Sequence, residues 1–128
     1  MTKPSLDGWL EEAKQSPDAH KVGMYLSHVG VVRGTARDAV RKGAPAAAVT
    51  GMVFSWDQQA LEEAVDHIRQ MEGVYFVRVW LNEGRLSVGD ELMQVLIGGD
   101  IRPRTMAAMD ALLSRLKNVC VKEKEIYE

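Results

Sequence analysis

The chain has 128 residues, 46% apolar and 27% charged, with a formal net charge of −2. That is enough for one domain with its own core, and the composition is that of a soluble globular protein. The charge argues against a general nucleic-acid or anionic-membrane binder, no apolar run reaches the roughly 20 residues of a membrane span, and a lone cysteine excludes an internal disulfide.

The opening stretch, MTKPSLDGWLEEAKQ, lacks the apolar run of a secretory signal, so a reduced, cytoplasmic setting is expected. Within it Ser5 can cap a short helix reaching Gln15, with Leu6, Trp9, Leu10 and Ala13 at helical spacing. Ser16-Pro17-Asp18 breaks it. Residues 21–33 are rich in β-formers and predict a strand, with Gly23 and Gly30 marking bulges or close approaches. Residues 34–45, GTARDAVRKGAP, read as an exposed, mobile loop. Residues 46–54 predict a second strand that pairs with the first.

Ser55 and Gln58 have the spacing of a capping box, which predicts a helix from Ser55 closed by Gly73. Leu61, Ala64, Val65 and Ile68 form its apolar stripe. Residues 74–81 are a strand of β-branched and aromatic residues, turned by Asn82-Glu83-Gly84 into strands at 85–88 and 91–97. Gly98-Gly99 predicts a sharp turn into a helix over 103–117, with Pro103 in its first turn. Met106, Met109, Leu112, Leu113 and Leu116 fall on one face. Residues 119–127 alternate and predict a last strand with an exposed basic face. Short strand-to-strand links favour antiparallel pairing. The expected fold is a single α+β domain over residues 1–128, an antiparallel sheet with two covering helices, residues 1–20 being an N-terminal helical extension.

Three groups of cations stand out: Arg33 at the end of the first strand, Arg102 and Arg104 at a helix start, and Lys117, Lys122 and Lys124 beyond its end. Guanidinium forks hold phosphate or carboxylate oxygens bidentately, and a desolvated lysine can act as nucleophile or acid/base. The alternative is solvated surface charge. His67 reads as surface, and His28 as a structural histidine ahead of a pocket one. No histidine has a serine or cysteine partner at a recognisable spacing, and no CxxC or HExxH pattern suggests a metal. Cys120 reads as a buried inert thiol, the methionines as core filler, and Trp9, Trp56 and Trp80 as core or interface anchors.

Several stretches together resemble the large, catalytic subunit of molybdopterin synthase, the MoaE family. They are Gly30-Val31-Val32-Arg33, the turn Gly84-Arg85-Leu86-Ser87-Val88-Gly89-Asp90-Glu91, and Leu116-Lys117 followed by the segment bearing Lys122 and Lys124. The resemblance covers most of the chain from about Lys21. It implies an α/β hammerhead-type fold and a homodimer within a heterotetramer with a small ubiquitin-like sulfur carrier ending in Gly-Gly. It further implies sulfur transfer from the carrier's thiocarboxylate to cyclic pyranopterin monophosphate in molybdenum cofactor biosynthesis, without a cofactor or metal of the subunit's own. By the same resemblance Lys117 is a catalytic lysine, and Lys124 the second without a gap, or Lys122 with a two-residue one. Arg33 and Arg102 correspond to anion-binding arginines, with Arg104 and Lys122 beside them. Where the family has a His-Arg pair this chain reads Ile101-Arg102, which leaves open a homologue that binds the carrier or a phosphorylated ligand without turnover.

Overall fold

The structure is a computed structural model that describes residues 3–35 and 48–127. The loop expected at 34–45 lies almost wholly outside the described residues, as does the expected start of the second strand. The described elements are α1 (Leu6–Lys14), a 3-10 turn (Ala19–Lys21), β1 (Met24–Val31), β2 (Val49–Trp56), α2 (Gln58–Arg69), β3 (Val74–Leu81), β4 (Gly84–Ser87), β5 (Glu91–Gly99), α3 (Arg102–Arg115), a π-helical turn (Leu116–Cys120) and β6 (Val121–Tyr127).

The α+β, antiparallel architecture holds, with the strands shared between two three-stranded sheets ordered β1-β5-β3 and β4-β2-β6. The expected pairing of the first two strands does not occur: β1 pairs with β5, and β2 with β4 and β6. Burial explains this. β5 is buried on both faces from Leu92 onward except at Met93, so it needs a neighbour on each side and takes β1 and β3. The strands of the second sheet alternate and cover the core on one face only. In β2, Met52 and Phe54 are buried while Val53 is 43% exposed.

Between the sheets and helices α2 and α3 lies the main core, where Val95 and Ile97 of β5 share a cluster with Ile68, Leu112 and Leu116. The other face of the first sheet is covered by α1, whose Trp9 packs with Trp80 and Leu96. Ser5 caps α1 as expected, its hydroxyl accepting from the Gly8 N–H at 3.1 Å.

Three local expectations are corrected. Ser55 is not the cap of α2. β2 runs on to Trp56 because Ser55 and Trp56 still pair with Lys122 and Val121, and the carboxylate of Asp57 accepts from the Ala60 N–H at 2.8 Å instead. Gly98 and Gly99 are not a turn but the end of β5, opposite Tyr25 and Met24. Their reason is close packing: a Cβ would come within 2.8 Å of the Tyr25 ring at Gly98 and 2.1 Å of Thr105 Oγ1 at Gly99. The chain turns at Asp100-Ile101 instead. Met106 is not on the buried face of α3 but 54% exposed, since Thr105, Ala108, Met109 and Leu112 face the core.

Candidate functional site

A cavity of about 680 Å³ among the described residues opens between the edge strands of the two sheets. Its β1 wall carries His28, Gly30 and, beyond the strand, Arg33. Leu92 and Met93 of β5 and Met52 of β2 form an apolar floor. From above come Leu113 of α3 and Lys117 of the π-helical turn, four residues apart and so on one helical face. The last wall is β6, contributing Val121, Glu123, Lys124 and Glu125.

The π-helical turn widens α3 just where Lys117 leaves it, a distortion often found where a helix must re-aim a side chain. On β6 the alternation has a consequence that charge-reading missed. Val121, Glu123 and Glu125 lie opposite Trp56, Phe54 and Met52, on the strand face that meets the core. The carboxylates therefore share the cavity with the cations. Packing of Val121 against the core was the available signal, because residues two and four positions on share its face. Lys122 and Lys124 lie opposite Ser55 and Val53, on the other face. Lys124 nonetheless borders the cavity at the sheet edge.

The predicted cations thus separate. Arg33, Lys117 and Lys124 line one cavity, whereas Lys122 lines a smaller cleft of about 380 Å³ with Trp56, Asp57 and Cys120. Arg102 and Arg104 stand at the opposite end of α3. Arg104 is already engaged, donating to Asp100 at 2.8 Å and to Glu72 at 3.3 Å, so its charge is spent on the turn into the helix. Arg102 is exposed, next to an Ile101 that is 51% exposed and gives α3 no side-chain cap.

Two titratable groups are shifted by their surroundings. Burial lowers the His28 imidazole below its ordinary value, which favours the neutral ring. Cys120 is not in a strand but in the π-helical turn; burial first, then the charge of Asp57, pushes its thiol up. That keeps it protonated and unreactive. Among the described residues no cluster of histidine, cysteine or carboxylate side chains is arranged to hold a metal.

The model of the MoaE protein family matches residues 5–119. The chain belongs to the MoaE family. Membership places it in molybdenum cofactor biosynthesis, in a molybdopterin synthase-type role. Solved structures share its fold at low identity. Molybdopterin synthase from Staphylococcus aureus is 16% identical with a TM-score of 0.74, over 100% of this chain and 89% of that one. The molybdopterin biosynthesis MoaE protein from Burkholderia ambifaria is 18% identical, TM-score 0.71, over 99% and 85%. A protein–protein complex of subunits 1 and 2 of molybdopterin-converting factor from Helicobacter pylori contains a chain 19% identical, TM-score 0.65, over 95% and 80%. Comparison with curated protein sequences gives no match. No helix among the described residues is long and apolar enough to cross a membrane.

Proposed function

We propose that this MoaE chain is the catalytic subunit of a molybdopterin synthase, moving sulfur from the thiocarboxylated Gly-Gly end of a ubiquitin-like carrier to cyclic pyranopterin monophosphate. The observation that carries the proposal is the convergence of Arg33, Lys117 and Lys124 on one cavity between two sheet edges. Both ligands are anionic. A guanidinium suits the phosphate, and an ammonium beside an apolar floor suits the carbonyl oxygen of the carrier's terminal acyl group, where negative charge grows as a nucleophile adds to the carbon, before sulfur departs. An extended Gly-Gly tail is narrow enough to lie between β1 and β6, and edge strands offer it free backbone groups. Lys117 and Lys124 act in the acid/base or covalent steps. Glu123 and Glu125 line the same cavity and offset part of its positive charge.

Arg102 needs a second copy of the chain. It precedes Lys117 by fifteen residues, about 22 Å along a helix, too far to meet the same ligand atom. A homodimer that sets the α3 start of one copy against the cavity of the other joins the two groups. One observation favours the alternative of binding without turnover: the exposed apolar Ile101 beside Arg102 supplies no proton donor.

A single-turnover reaction with pterin precursor and thiocarboxylated carrier, read as dithiolene product by mass spectrometry, tests the proposal. The expected result is product from the unaltered chain and a loss of about a hundredfold or more in Lys117→Ala. Carrier binding without product selects the alternative.

A further inference from the structure

The cavity holds one imidazole, that of His28, which has no part in binding either anion. His28 and Gly30 lie opposite Val95 and Met93 on the inward face of β1. A Cβ at Gly30 would sit 3.8 Å from His28 Nε2 and 3.1 Å from Met93 Cγ, so the ring lies along the strand over the glycine. The ring is half-buried, and its nitrogens have no hydrogen-bond partner among the described residues. The titratable and charged groups on the walls around it are Arg33 after β1, Lys117 after α3, and Glu123, Lys124, Glu125 and Tyr127 on β6, the Tyr127 hydroxyl donating to Glu125 at 3.2 Å; β5 contributes only Leu92 and Met93. Lysine, arginine and carboxylate side chains ordinarily titrate far from pH 7, whereas imidazole exchanges a proton close to it.

We propose that His28 is a catalytic residue of this cavity, the base that releases sulfur from the carrier by hydrolysing an acyl thioester. The inference rests on the sulfur-transfer reading. Once the thiocarboxylate sulfur has bonded to the acceptor carbon, that sulfur still joins the acceptor to the carrier's terminal carbonyl carbon. Release requires water. The water oxygen bonds to the carbonyl carbon as His28 takes one of its protons. The tetrahedral intermediate collapses with cleavage of the carbon–sulfur bond, whose electron pair leaves on sulfur. The imidazolium returns its proton to that sulfur, and the carrier departs as a carboxylic acid that ionises to solvent. No oxidant or reductant enters. Partial burial favours the neutral, proton-accepting ring, consistent with this role.

The test is the same single-turnover reaction across pH 5 to 8 with His28→Gln, His28→Asn, Glu123→Gln and Glu125→Gln, alongside carrier-binding titrations and urea midpoints. The expected result is that both His28 variants fold and bind carrier as the parent does, yet form product on the order of a hundredfold more slowly. They accumulate a carrier–pterin thioester adduct by mass spectrometry, lose the acidic limb of the pH profile, and regain rate with added imidazole. The glutamate variants keep that limb. Parental rates in the His28 variants overturn the inference, as does slowing without adduct and with the limb intact, which marks a structural role. Transfer of the limb's loss to Glu123→Gln or Glu125→Gln assigns the base to a carboxylate and also overturns it. No product or adduct from the unaltered chain instead overturns the sulfur-transfer reading, and this inference falls with it.

Discussion

A methyl group at position 99 has nowhere to go. Thr105 Oγ1, 2.1 Å from the place of a Cβ, is tied to the Ile101 carbonyl at 2.9 Å and cannot swing away without losing that bond. Gly99→Ala is expected to cost about 1–3 kcal/mol, read as a lower urea midpoint at unchanged slope. The glycine pair was visible in the sequence, but its reason was not. Composition suggests left-handed turns for glycine, and that reading succeeds at Gly84, with φ of 94°. Gly98 and Gly99 answer to neighbours arriving from β1 and α3, which no local window contains. Cys120 behaves as its setting dictates: alkylation of the native chain is expected to be slow at pH 7 and to accelerate on unfolding, as followed by mass spectrometry. For His28 the folded value lies below the unfolded one, so its contribution to stability is present above pH 6.5 and fades as pH falls toward the folded value. His28→Gln is expected to flatten that part of the stability–pH curve in urea titrations.

At the scale of elements, periodicity was a good guide to where helices and strands lie and a poor guide to their ends. The apolar stripe of α2 was legible because Ala64 and Ile68 repeat at helical spacing and are buried. Its start was misplaced by two residues because Ser55 satisfies a cap pattern while strand pairing to β6 holds it extended. Asp57→Ala is therefore expected to cost about 1 kcal/mol and Ser55→Ala much less, measured by thermal or urea unfolding. Charge alone also misled on β6, where lysines drew notice and Glu123 and Glu125 proved to face the core side. The outer edge of β3 shows what an exposed edge requires. Arg69 of α2 donates to the Val77 carbonyl at 3.1 Å, occupying a backbone acceptor that another strand would otherwise seek. Arg69→Ala is expected to raise the tendency to associate, detectable by light scattering at high concentration, more than it lowers stability.

For the whole molecule, the sequence could not reveal which strands pair, because every partner of β1 and one partner of β2 lie some seventy residues away. It was equally silent on the cavity, which exists only because two separate sheets leave edges side by side. The family resemblance marked Arg33, Lys117 and Lys124, and the fold brings them to one cavity. It also marked Arg102, which the fold holds at the far end of α3. If a second copy supplies that arginine, Lys117→Ala and Arg102→Ala chains, each inactive alone, are expected to recover up to about a quarter of the parental activity when mixed and allowed to exchange, since exchange yields hybrids with one intact site. Failure of mixed samples to recover, with exchange confirmed by native mass spectrometry, removes Arg102 from the site.

The division of the cavity between β1 and β6 also sets an order of events during synthesis. The first sheet can close once β5 has left the ribosome, since β1, β3 and β5 are then all available. The second must wait for β6, and with it the wall bearing Glu123 and Lys124. Until that strand docks, the cavity has Arg33 and Lys117 but lacks the wall that carries Glu123, Lys124 and Glu125. Closing the cavity therefore depends on the pairing of β2 with β6 across some seventy residues, the kind of long-range contact that forms late in folding.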